Sequence, residues 1–160
     1  MGLTLVGSGI KLNIFQNLKV DISTKLKHWI RTLEIPILRE AEFKVSPKTC
    51  ILNGSDESME KYINSNLGGN LEKGIDLLLK INSNKYIIGE AKFITTSGGT
   101  QTNQLGVALE LTGKKIKNAT TIAILDGAVW FDNSYKQKII QKEKPIMSAL
   151  LLKEFINSQA

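Results

Sequence analysis

Two apolar runs separated by a polar Asn82-Ser83-Asn84 stand out in the stretch GIDLLLKINSNKYIIGEAKF, residues 74–93. They predict a pair of strands over 74–81 and 85–93. Upstream, Ile22, Leu26, Ile30 and Leu33 fall at helical spacing, so a helix capped by Asp21 or Ser23 should run to about Glu34 and stop before Pro36. Residues 37–45 alternate weakly and read as a strand, as do 49–53. Ser55, acidic residues after it, the stripe Met59, Tyr62, Ile63 and the pair Gly68-Gly69 describe a capped helix with a glycine stop. Downstream, Leu105, Ala108, Leu109, Thr112 and Ile116 predict a helix over 101–117 that crosses between parallel strands. ATTIAILDG reads as a buried strand turning at Asp126-Gly127, and AVWF as a short strand after it. Pro145 should open a last helix, with Ile146, Met147, Leu150, Leu151 and Phe155 facing inward.

Within the strand pair, antiparallel pairing about Ser83 places position 76 opposite 90. Ile75, Leu77, Leu79 and Ile81 then form an apolar face, while Asp76, Leu78 and Lys80 share the other with Ile88, Glu90 and Lys92. Opposed carboxylates repel unless a cation or proton joins them. Lys92 supplies one charge, and a divalent ion bridging both acids is the fuller compensation, since magnesium favours one or two carboxylates with waters and phosphate. The competing reading is a solvated salt-bridge cluster on an edge hairpin, but the flanking runs are too apolar for an open edge.

The 160-residue length and 42% hydrophobic content fit one globular domain, with no apolar run of membrane-spanning length and no secretory signal, so a cytoplasmic protein is expected. One cysteine, Cys50, excludes an internal disulfide and a multi-cysteine zinc site, and one histidine, His28, argues against chemistry that needs a histidine base together with histidine metal ligands. A net charge of +6 favours a polyanionic partner. The lysine-dense 135–144 reads as a solvated helix face.

Asp76, thirteen intervening residues, and then Glu90-Ala91-Lys92 resemble the PD-(D/E)XK nuclease superfamily over about residues 55–130. Ile75 stands where that motif often has proline. The resemblance implies an α/β fold with a restriction-endonuclease-like core, a central mixed β-sheet flanked by helices, in a single nuclease domain over 1–160 with helical additions at both ends. It implies Mg2+ held by Asp76 and Glu90, with Lys92 assisting the attacking water. It also leaves an extra acid to be placed, with Glu60 the first candidate and Glu40 and Glu42 behind it, and a first core strand that is either very short or supplied by earlier segments.

The segment FITTSGGTQTNQ leaves the metal-bearing strand for the next helix. Gly98 and Gly99 let backbone approach a partner, the helix N-terminus favours phosphate, and Ser97, Gln101, Asn103 and Gln104 complete a candidate DNA-binding set. A plain loop with Thr100 as helix cap is the alternative. GEAKF followed by SGG and glutamines is similar to type II restriction endonucleases, which implies sequence-specific hydrolysis of phosphodiester bonds in double-stranded DNA by a homodimer. The chain is short for such an enzyme, which leaves open a catalytic fragment whose separate recognition domain lies elsewhere. A structure-specific nuclease such as a Holliday-junction resolvase, or a non-catalytic DNA-binding module, are the alternatives.

Overall fold

A computed structural model describes residues 22–96, 98–142 and 144–159, with side chains from residue 25 onward. Asp21 and the Ser23 side chain, offered above as helix caps, lie outside the described residues, as does Ser97.

Helix α1 (Ile22–Ile30) continues as a 3-10 turn over Arg31–Leu33 and ends at Glu34, whose φ of 61° breaks the helix two residues before Pro36. Strand β1 (Ile37–Leu38), helix α2 (Glu40–Val45), strand β2 (Cys50–Leu52) and helix α3 (Asp56–Asn66) follow. Then come β3 (Leu77–Ile81), β4 (Lys85–Ile94), α4 (Gly99–Leu111), β5 (Ala119–Gly127), α5 (Asn133–Ile140), β6 (Ile146–Met147) and α6 (Leu152–Ser158). The six strands form one mixed sheet in chain order. β2, β3 and β4 are antiparallel neighbours, and β1–β2, β4–β5 and β5–β6 pair parallel. This is the α/β sheet with flanking helices expected from the chain.

The hairpin has the expected register, with Leu77 opposite Gly89 and Ile81 opposite Lys85. Alternation along its strands sorts side chains onto two faces. Leu77, Leu79, Ile81, Ile87 and Ala91 pack with Ile122 and Ile124 beneath α1 and α6. On the other face are two separate clusters. Leu78 and Ile88 join Phe43, Met59, Tyr62 and Ile63 of α2 and α3, whereas Ile94, Ala123 and Leu125 join Leu105, Ala108, Tyr135 and Ile139 of α4 and α5. Glu90 and Lys92 project from β4 between Ile88 and Ile94, at the seam of these clusters. That seam is where the site lies.

Several expectations are corrected. Residues 37–45 hold a two-residue strand and then a helix: the Arg39 amide donates to Glu42 Oε2 at 3.3 Å, and the helical turn carries Phe43 into full burial against the Tyr62 ring, centroids 5.5 Å apart. AVWF is a 3-10 turn, because Gly127 at φ 91° swings the chain out of β5. Ile146 and Met147 extend the sheet beside Ala123 and Ile124 and do not begin a helix. Consequently the last helix starts only at Leu152, and Leu150 and Leu151 are exposed. α4 starts at Gly99 and stops at Leu111, leaving Ile116 buried but outside it.

The first core strand is resolved in favour of the earlier segments: β2 precedes α3 and pairs with β3. Cys50 on it is fully buried, as expected for a small apolar residue.

Candidate active site

Asp76 occupies the bend immediately before β3, and the reason the strand starts at Leu77 and not at Gly74 is visible in its bonding. Its Oδ2 accepts the Ala91 amide at 2.9 Å, taking the place of the next backbone rung of the β3–β4 ladder. The main chain meanwhile turns toward α3, where the Ile75 amide donates to the Asp56 carbonyl at 3.1 Å. This bend corrects one expected position: Ile75 packs in the α2–α3 cluster with Leu78 instead of beside Leu77. Gly74 makes the turn possible, since a Cβ there would stand 2.7 Å from Asp56 Cβ and 2.9 Å from its backbone carbon.

Asp76 and Glu90 are buried, 8% and 3% exposed. Lys92 lies between them, donating to Glu90 Oε1 at 2.6 Å and sitting 3.8 Å from Asp76 Oδ2, with a further bond to the Ala91 carbonyl at 3.1 Å. Burial pushes the Asp76 carboxyl above its ordinary range; the Ala91 amide opposes this, Glu90 adds to it, Lys92 opposes it and Asp56 adds to it. Two features were not anticipated. Lys73 donates to the same Glu90 Oε1 at 2.8 Å, and Glu90 Oε2 is buried with no hydrogen-bond partner. A buried acceptor left unpaired costs about 1–3 kcal/mol, so such an atom points to a ligand.

The expected extra acids do not join this pair. Glu60 accepts a long 3.5 Å bond from Asn64 on its own helix, and Glu40 is exposed. Glu42 is exposed too, its carboxyl lowered by the Arg39 side-chain hydrogen bond. Besides Glu90, the acid that acts electrostatically on Asp76 is Asp56 at the start of α3, itself bonded to Lys27 of α1 at 2.6 Å. In the sequence Asp56 looked like an ordinary first-turn acid. Among the described residues, no three acids, histidines or cysteines stand close enough to hold a metal together, so a metal at this pair would complete its shell with water or substrate. Lys80, placed on the Asp76 face by alternation, is directed away from the site to the end of α2, where it donates to the Phe43 and Lys44 carbonyls.

The loop after Lys92 leads into α4. Gly98 is the helix N-cap without a side-chain cap, so Thr100 does not serve that role. Gly98, Gly99 and Asn103 are exposed and Gln104 is partly so. Gln101 is engaged within the loop, its Oε1 accepting the Thr95 amide at 3.3 Å. Tyr135 of α5 anchors the loop from below through Thr102 Oγ1 at 3.2 Å and the Thr96 carbonyl at 3.4 Å. That anchor was hidden in the sequence by the surrounding lysines. Trp130 packs, as expected, with Nε1 donating to the Leu125 carbonyl at 2.7 Å.

Among the described residues no helix is long and apolar enough to cross a membrane. A family model for the Tsp45I type II restriction enzyme matches residues 16–159. No curated protein and no solved structure matches.

Proposed function

Because the chain belongs to the Tsp45I type II restriction enzyme family, and is thus a site-specific deoxyribonuclease acting on DNA, we propose that Asp76, Glu90 and Lys92 are its catalytic residues. The observation that carries this reading is the partnerless, buried Glu90 Oε2 beside a second buried carboxylate. Oxygen donors of this kind suit a hard divalent cation, and Asp76 and Glu90 would hold Mg2+. When bound, the ion supplies Lewis-acid polarisation of the phosphodiester and lowers the pKa of a water.

The chain's own residues do the rest. Lys92 bridges the two acids and keeps an ammonium in the seam, where it can donate to and orient the attacking water. Hydrolysis forms a bond from that water's oxygen to phosphorus and breaks one ester bond, with the departing oxygen taking up a proton. Apolar clusters on both sides of Glu90 keep the site partly dry, which strengthens each electrostatic contact.

The exposed start of α4 would face the DNA, with Gly98 and Gly99 admitting a phosphate to uncapped backbone amides and Asn103 and Gln104 reaching base edges. Ser97 stays with this set from the sequence, whereas Gln101 acts by shaping the loop. Cutting both strands calls for two such sites, so the working enzyme is a homodimer, acting in the cytoplasm on double-stranded DNA.

Plasmid digestion tests this. Discrete fragments with Mg2+, none with EDTA or Ca2+, and loss of cleavage in Asp76→Ala with DNA binding kept are the expected results. Cleavage of a four-way junction alone would indicate a structure-specific nuclease, and undiminished cutting by Asp76→Ala would leave the acids structural.

A further inference from the structure

The site holds two carboxylates and two ammonium groups, one cation more than the catalytic assignment uses. Building on that assignment, we propose that Lys73 is a displaceable counter-ion: it neutralises Glu90 while the metal is absent and moves to a DNA phosphate when metal and substrate enter.

Both lysines converge on one oxygen, Glu90 Oε1, at 2.6 Å for Lys92 and 2.8 Å for Lys73, leaving Oε2 without a partner. They are held very differently. Lys92 rises from β4, its side chain 22% exposed, and is tied also to the Ala91 carbonyl and Asp76. Lys73 sits in the irregular segment between α3 and β3, its side chain 45% exposed, with Glu90 as its sole ion-pair partner among the described residues. It also lines a cleft of about 230 Å³ beside α4, where Leu71, Val107 and Leu111 stand with the charged Glu72, Glu110 and Lys114, which gives the side chain space to move.

A divalent cation at Asp76 and Glu90 would meet both ammonium groups. Like charges at such range disfavour one another, and the looser cation is the one that leaves. Without Lys73, the ion, Lys92 and the two acids sum to one positive charge, which a single phosphate balances. The Ile75 amide's bond to the Asp56 carbonyl ties the backbone two residues on, so the proposed movement is one of the Lys73 side chain. Lys73 therefore couples metal entry to DNA binding.

Mn2+ titrated into the DNA-free protein, with free Mn2+ read by electron paramagnetic resonance, measures the competition directly. Lys73→Gln should bind Mn2+ about fivefold more tightly than wild type, the size of one half-exposed ion pair removed. Lys73→Arg should behave as wild type. With Ca2+ present and cognate DNA, the slope of log affinity against log salt for Lys73→Gln should shrink by about 0.9, one phosphate contact. Asp76→Asn, in parallel, should lose Mn2+ binding.

If Asp76→Asn loses Mn2+ while Lys73→Gln binds it as wild type does, the counter-ion role is overturned and the metal assignment stands. If Asp76→Asn keeps Mn2+, the metal assignment itself falls. Tighter Mn2+ binding with an unchanged salt slope would overturn the transfer to phosphate.

Discussion

Replacing Asp76 by asparagine should make the metal-free protein more stable and the metal-loaded protein comparatively less so. The amide keeps an oxygen for the Ala91 N–H, the 2.9 Å bond that ends the β3–β4 ladder. What it loses is a 3.8 Å attraction to Lys92; what it relieves is a buried charge facing Glu90 and Asp56. Active-site relief of this sort is worth about 1 kcal/mol, or roughly 2–4 °C in Tm for a domain of this size. The pH dependence has a definite sign. Because the native Asp76 carboxyl titrates above its reference value of 3.8, its protonation favours the folded state. That contribution is full below 3.8 and is lost as pH rises through the native pKa, so the advantage of Asp76→Asn should be largest near neutral pH and shrink toward 3.8. Adding Mg2+ reverses the order. At roughly ten times its Kd the ion stabilises only the wild type, by about 1.4 kcal/mol, enough to cancel the variant's lead. Thermal melts in EDTA and in Mg2+ at several pH values measure all of this. A variant less stable than wild type in EDTA at neutral pH, or a gain that ignores pH, would refute the reasoning.

Gly74→Ala forces a Cβ into the Asp56 backbone, and should cost about 2 kcal/mol in urea unfolding while lowering cleavage, because the bend that aims Asp76 must open. Lys80→Met leaves the Phe43 and Lys44 carbonyls without their buried donor and should cost about 2–3 kcal/mol, with cleavage per folded molecule retained, since Lys80 points away from the acids. Tyr135→Phe removes the hydroxyl that holds Thr96 and Thr102; unfolding measurements should show a loss of about 1 kcal/mol, and fragment sequencing a relaxed choice of cut site.

The hairpin was legible because everything that defines it is local. Asn82-Ser83-Asn84 accepts a turn, with Asn82 at φ 50°, and strict alternation beside it leaves one register that buries Leu77 and Leu79 together. The sequence alone therefore brings Asp76, Glu90 and Lys92 to neighbouring positions. Other features depended on partners far along the chain. Asp56 and Asp76 are joined through a backbone bond from Ile75, and Lys73 reaches Glu90 across 17 positions. No short pattern encodes such pairings. Residues 37–45 misled because a two-residue strand and a six-residue helix are each too short to display a period, and their identity is set by where Phe43 finds a pocket. Ile146-Met147 misled for a related reason: parallel pairing to β5 outweighed the helical spacing of the apolar residues that follow.

The catalytic proposal depends on Asp76 and Glu90 binding a divalent cation jointly. Anomalous scattering from a crystal of the enzyme soaked in Mn2+ tests it most directly. The expected result is a peak at Asp76 and Glu90, with the Lys73 side chain withdrawn from Glu90 Oε1. A peak elsewhere with both carboxylates still bonded only to Lys92, Lys73 and Ala91 would contradict it.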